Sequence, residues 1–472
     1  MRVMLARILA CVIILRLPHA AVVIAAESET TVTIDLRGAL NEALRHSPQL
    51  LPSEDAVTTA GIQRTLAVAR FAPKISPMLS TGTAPMGLSQ QNLGLGVSQL
   101  LQTGAQVQAS ANSVRYGSGP GEFRDAGYSI GISQPLLRGF GATTRAPVDA
   151  ASAAADGAER SAADARQQLV VAVAHAYFAV VRQQRLTAES ERVLERASEL
   201  SEMSEARARV GLSTQLDVFR AGLLRSQAQS AVLGNRDALD AAREDLNLLL
   251  GRPTDAPIVA DVDVSADLHA LEETAGQPDV PTALADRLDV RGARARLTEA
   301  QHDAALAKWN LLPQLNLDVS YTRRGLGTQS TDSFANLFNG WRIGLGTTYS
   351  FDHATDAAAA GLAQVAVRAA ERGVSETEQR AIIDVRRATR ASARAADVLA
   401  LSRTSLDLAG QQRELATLRW ERGLADNLEV IDAETRVFQA QSALIAADID
   451  RALAFLTLQR ASGALDPNRF LQ

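Results

Sequence analysis

The chain has 472 residues, a formal net charge of −5 and an apolar fraction of 46%, of which only 4% of residues are aromatic. That length accommodates two or three ordinary domains, and the alanine-rich, aromatic-poor composition suits closely packed helices better than a large layered core. The mild charge, without a basic cluster, excludes the electrostatic footprint of a nucleic-acid binder.

Residues 1–26 read as a secretory signal: Arg2 and Arg7 precede an apolar run from Ile8 to Leu15, and Val23-Ile24-Ala25-Ala26 form a small-residue exit before Glu27. Cys11 is the sole cysteine and falls inside that segment. A lipobox reading of Leu9-Ala10-Cys11 leaves almost no apolar segment ahead of the cysteine, so a cleaved signal is the expectation. The mature chain then has neither disulfides nor thiol chemistry. Beyond the signal there is no run of roughly 18–20 apolar residues, which excludes a membrane-crossing helix and leaves an exported protein either soluble or a membrane β-barrel.

A first half follows over 27–251, with helices expected at about 35–47 and 52–72 and a strand zone at about 75–136. There Leu93, Leu95 and Val97 oppose Gly94, Gly96 and Ser98, and Tyr128, Ile130 and Ile132 oppose Ser129, Gly131 and Ser133. A very long helix at about 143–209 then turns at Gly211 into a return helix at about 213–250. The stretch 252–280 reads as a linker. Its acids Asp255, Asp261, Asp263 and Asp267 lack the glycine and glutamate of a calcium loop.

The second half, 281–463, repeats the order: a helix at about 281–309, a strand zone at about 314–351, a long helix at about 355–421, the Gly423 turn and a return helix at about 426–462. Leu315, Leu317, Val319 and Tyr321 alternate with Asn316, Asp318, Ser320 and Thr322. Likewise Trp341, Ile343, Leu345, Tyr349 and Phe351 share a face. Val385, Ala388, Ser392, Ala395, Leu399, Ser402, Leu406 and Ala409 alternate steps of three and four, a coiled-coil seam. Residues 464–472 form a tail.

The two halves are copies. Gly211-Leu212 with Leu216-Asp217-Val218 returns 212 positions later as Gly423-Leu424 with Leu428-Glu429-Val430, and Gln227-Ala228-Gln229-Ser230-Ala231 recurs unchanged at 439–443. From Pro73 to Tyr128 is 55 residues, whereas from Pro313 to Trp341 is 28, so the first half carries an insertion of 27 residues within its strand zone. A helical rod alone would satisfy the seam. Strands of about ten residues with one apolar and one small or polar face, set between helices of about 100 Å, match a membrane barrel instead.

With its two halves, the Ser-Gln-Pro-Leu-Leu-Arg-Gly-Phe-Gly run at 133–141, the paired glycine turns, and Arg287-Leu288-Asp289-Val290 in place of an Arg-Pro-Asp-Leu helix opening, the chain resembles the TolC-like outer-membrane efflux protein family over nearly all of its mature length. The resemblance implies a mainly α fold with a β-barrel part: long coiled-coil hairpins forming a trimeric α-barrel in the periplasm, and a twelve-stranded β-barrel in the outer-membrane lipid. It implies four strands per subunit, the second-half pair plus one first-half pair. The sequence itself shows four strand-like stretches in the first half alone, at about 75–83, 92–101, 104–114 and 127–136.

The resemblance also places acids at a narrow periplasmic entrance, here Glu429, Asp432 and, in the first-half copy, Asp217. The plainer reading of these acids is the favourable first turn of a helix. Gly211, Leu212, Gly423, Leu424 and Trp420 fall at the hairpin tips, where the resemblance implies that a periplasmic adaptor docks. A basic residue common in the family two positions after the second glycine is replaced by Ala425.

No metal-ligand spacing links the six histidines (19, 46, 175, 269, 302 and 353), and no phosphate loop or nucleophile elbow is present. The expectation is therefore a non-enzyme without cofactors: a passive homotrimeric exit duct joined through an adaptor to an inner-membrane transporter. The alternatives are the exit duct of a type I protein secretion system and an exported coiled-coil structural rod.

Overall fold

In the computed structural model, which describes residues 32–83, 88–117, 121–138, 140–261, 264, 280–328, 337–349, 352 and 354–471, the dominant elements are two helices of 68 residues each. At about 1.5 Å per residue each spans about 100 Å. The signal segment with Cys11, and Asp263, Asp267, His19, His269, His353 and Phe351, lie outside the described residues.

The elements in chain order are β1 (Val32–Ile34), α1 (Leu36–His46), α2 (Leu51–Ala69), β2 (Lys74–Thr83), β3 (Ser89–Leu100), β4 (Gln106–Tyr116), β5 (Phe123–Pro135), α3 (Ala142–Arg209), α4 (Gln215–Leu250), β6 (Ile258–Ala260), α5 (Val280–Asp286), α6 (Leu288–Asn310), β7 (Gln314–Gly327), β8 (Leu337–Thr348), α7 (Ala354–Glu421) and α8 (Asn427–Ala461). Each long helix is covered in two stages. Nearer the sheet, α2 packs on α3 and α6 on α7; further away, α4 and α8 take their places. Isolated helices of this length are marginal in water, so the stability comes from these seams. Every residue of the 385–409 seam is buried or half-buried while most of its neighbours are exposed, the result expected from a three-four alternation.

Where α2 gives way to α4, the main core gathers the middle of α3 (Val170, Val173, Tyr177, Phe178, Val181) with Leu40 of α1, Leu246 and Leu250 of α4, and Leu456 of α8. The short parallel pair β1–β6 seals it through Ile34 and Ile258. The Tyr177 hydroxyl donates to the Asp261 carbonyl oxygen at 3.1 Å, which satisfies its polar tip inside the core. The segment expected as one helix at 281–309 is divided at Arg287. Its guanidinium binds both carboxylate oxygens of Asp289 at 3.0 and 2.7 Å, and also Asp384 on α7 and the Ala461 carbonyl closing α8. Arg287 thus ties the start of α6 to the second hairpin.

Among the described residues six strands form one antiparallel sheet in the order β2-β3-β4-β5-β7-β8. The four strands per subunit implied by the resemblance are therefore corrected to six. The 27-residue insertion forms a further in-sheet hairpin, β3–β4, instead of a loop. Register aligns Ile75, Val97, Ala109, Ile130, Tyr321 and Trp341 across all six strands, and Leu317 with Leu345 and Val319 with Ile343 across the last pair. One face is accordingly apolar from edge to edge. The other carries Ser76, Gly96, Ser110, Ser129, Thr322 and Gly346. Tyr128, Tyr321 and Trp341 form a row on the apolar face, with centroids 6.4 and 5.0 Å apart. Among the described residues no helix is long and apolar enough to cross a membrane.

Candidate functional site

At the end of the molecule opposite the sheet, both long helices stop in the same way. Gly211 and Gly423 take φ of +78° and +73°, a left-handed conformation that glycine adopts without steric cost. The Leu212 N–H then donates to the Arg207 carbonyl at 2.9 Å and the Leu424 N–H to that of Arg419 at 2.8 Å, so the orphan carbonyls are satisfied identically in both copies. The turns leave Leu212 77% and Leu424 67% exposed. Val210, Leu216, Phe219 and Leu428 are exposed beside them. The tips therefore present apolar side chains to their surroundings.

The acids differ in their circumstances. Asp217 is buried within a capping box: its carboxylate accepts from the Thr214 N–H at 3.0 Å, the Thr214 hydroxyl at 2.7 Å and the Ser213 hydroxyl at 3.0 Å, while Thr214 accepts from the Asp217 N–H at 3.2 Å. Burial raises its pKa, but the bonds from Thr214 and Ser213 and the Arg220 charge outweigh that and hold the carboxyl below its ordinary value. Glu429 and Asp432 are both exposed in the first turns of α8, three residues apart on one side of the helix. Glu429 accepts from the Arg419 guanidinium at 3.0 Å. The buried Asn427 side chain donates to the Asp217 carbonyl at 2.7 Å, so the first turns of α4 and α8 touch.

Trp420 is buried, not presented at the tip surface. It belongs to a cluster drawn from all four long helices, with Leu200 of α3, Ala221 of α4, Ala416 of α7, and Val430 and Ala433 of α8. Arg207 of the first half sits 4.4 Å over its ring. The same guanidinium donates to the Trp420 and Glu421 carbonyls at 2.9 Å each, capping the helix end of the other half. About three turns back along α3, Arg196 binds Glu434 at 2.9 Å and Glu189 at 3.3 Å.

These arginines are not evident from the acid pattern alone. A signal was nonetheless present: Arg207 and Arg419 stand four residues before their respective glycines, at equivalent points of the repeat. The two copies have diverged in use, since one grips the opposite half and the other grips Glu429. Among the described residues no group of histidines, cysteines and acids is arranged to hold a metal ion.

Two halves with matching tips, linked by a shared apolar cluster around Trp420 and joined by one six-stranded sheet, are the arrangement to compare with known proteins. Residues 39–252 and 280–464 match the outer membrane efflux protein family. The chain belongs to that family. It is 25% identical over 423 residues to the pyoverdine export outer membrane protein OpmQ of Pseudomonas aeruginosa, covering 83% of this chain and 85% of that one. Its fold is similar to that of the outer membrane protein VceC from Vibrio cholerae, with TM-score 0.67, 19% identity and coverage of 91% of this chain and 96% of that one. It is also similar to the MtrE outer membrane channel of Neisseria gonorrhoeae in its open state, with TM-score 0.68, 20% identity and coverage of 91% and 88%. The fold is thus TolC-like and mainly α, as the sequence led one to expect.

Proposed function

We propose that this protein is the outer-membrane exit duct of a tripartite efflux system. In this reading three copies assemble a helical barrel in the periplasm and a β-barrel in the outer membrane. Small molecules or ions reach it from an inner-membrane pump through a periplasmic adaptor and pass outward without any chemical step in the duct. The observation that carries the reading is the sheet with one continuous apolar face, joined at its base to helices of about 100 Å. Exposed apolar side chains on α2 (Ile62, Leu66) and α7 (Leu362, Leu401, Leu408), left uncovered by the single chain, support assembly with further copies. OpmQ is by name an export protein for pyoverdine, which favours small-molecule cargo over secreted protein.

At the entrance, Glu429 and Asp432 supply carboxylates to a ring around the axis, where acidic rings select cations. Arg419 partly offsets each Glu429. Asp217, engaged in its cap, holds the first-half tip in shape. The exposed Leu212 and Leu424 are the adaptor contacts. The test is reconstitution of the purified protein in planar bilayers, combined with membrane fractionation of the source cells. Recovery with the outer membrane and discrete ion-conducting steps are expected. A protein found only in the soluble fraction, conducting nothing, would sink the duct and favour the rod.

A further inference from the structure

We propose that the outer-membrane section is an eighteen-stranded barrel in which the β2 edge of each chain pairs with the β8 edge of the next copy. The inference rests on the trimeric duct reading above, and it departs from the twelve strands implied by family resemblance.

The inserted hairpin has the character of barrel wall. Strand β3 is paired with β2 from Lys74↔Ser98 to Thr83↔Ser89, and β4 with β5 from Gln106↔Ser133 to Tyr116↔Phe123, without a break in either ladder. Leu93, Leu95, Val97, Val107, Ala109 and Ala111 continue the apolar face, whereas Asn92, Gly94, Gln108, Ser110 and Asn112 continue the polar one. A plug or a surface flap would have no reason to keep both faces in step with their neighbours.

The root of the hairpin is built into the scaffold. Its turn lies against the start of α3, where Gln134 donates to the Thr103 carbonyl at 2.9 Å. Gly141 there has φ of +93°, and a Cβ on it would lie 2.7 Å from the Gln102 carbonyl oxygen. This glycine therefore accommodates the inserted turn.

Among the described residues β2 and β8 each have a partner on one side only, so the sheet does not close on itself. Their lengths are 10 and 12 residues, long enough to cross a hydrocarbon layer. Open backbone edges are not tolerated in lipid, so both must be covered. Six strands is an even number, so β2 of one copy and β8 of the next run antiparallel, as barrel closure requires. Six strands from each of three copies give eighteen. With strands about 4.8 Å apart and tilted about 40°, the backbone diameter rises from about 24 Å for twelve strands to about 36 Å for eighteen. The membrane section is then wider than the family's usual one, and the size limit on cargo lies at the helical entrance.

The experiment places single cysteines in a Cys11→Ser background of the full chain, reconstituted in liposomes and treated with a water-soluble maleimide from both sides. Leu95→Cys and Ala109→Cys should lose labelling, shielded by lipid, while Gln108→Cys and Asn112→Cys label fully. These mild replacements leave the fold intact, and mass measurement on each sample checks assembly. A trimer in which all four positions label would overturn the eighteen-stranded wall while leaving the duct standing. A monomer would overturn both. Direct imaging of the trimer decides the count independently: eighteen strands support the proposal, and twelve end it.

Discussion

Arg207 shows how a single side chain joins the two halves. Replacing it with alanine removes a cation–π contact and two charge-assisted caps on α7. Discounted for its partial exposure, the expected local cost is about 1–2 kcal/mol. Hydrogen exchange should show faster opening of the last turn of α7, and Arg207→Lys should not restore protection, because an ammonium cannot both stack on the ring and bridge two carbonyls. For Asp217 the pH dependence has a definite sign. Its carboxyl titrates below the ordinary 3.8, so its contribution to stability is present above that value and is lost as pH falls through the lowered one. Asp217→Ala should therefore cost about 1 kcal/mol at neutral pH, and the gap to the natural protein should close in strong acid, as denaturation curves at both pH values would show. Glu429→Gln with Asp432→Asn should reduce cation preference and divalent block while assembly is retained. Single-channel recording showing unchanged selectivity would return both acids to a helix-end role.

Among the elements, the sheet offers the sharpest contrast between its faces. Leu317 lies opposite Leu345 on the apolar face, and its neighbour Asn316 lies opposite Gly346 on the polar one. If the apolar face meets lipid, Leu317→Arg should lower stability by about 2–4 kcal/mol near mid-membrane, whereas Asn316→Arg should be nearly neutral. Urea unfolding in lipid measures both, and equal damage would mean that the strands are not a barrel wall. The existence of these strands was legible in the alternation of Leu317, Val319 and Tyr321 with their polar neighbours. Their partners were not. Pairing of β5 with β7 joins residues nearly 200 positions apart, as in Ser129↔Thr322, and no local period encodes that choice.

On the scale of the whole molecule, the single chain is an incomplete object. It leaves two sheet edges open and apolar side chains uncovered along α2 and α7. In the proposed duct both find their partners in a ring of copies, the helices forming one tube about 100 Å long. Mass measurement in detergent should therefore give a trimer. A stable monomer with intact helices would contradict the assembly.

The sequence by itself determined the two-fold repeat, the extent of the long helices, the glycine turns at 211 and 423 and the two faces of β3, β5, β7 and β8. Those features follow from local rules: the periods of helix and strand, and the left-handed conformation that glycine permits. Only the tertiary structure decided that the insertion is two more strands of the same sheet, that Trp420 is a buried anchor gripped by Arg207, and that Glu429 already has Arg419 as a partner. Each of these depends on which distant segments meet. That is fixed by mutual burial and by the pairing of backbone groups across the whole chain, not by the residues adjacent in sequence.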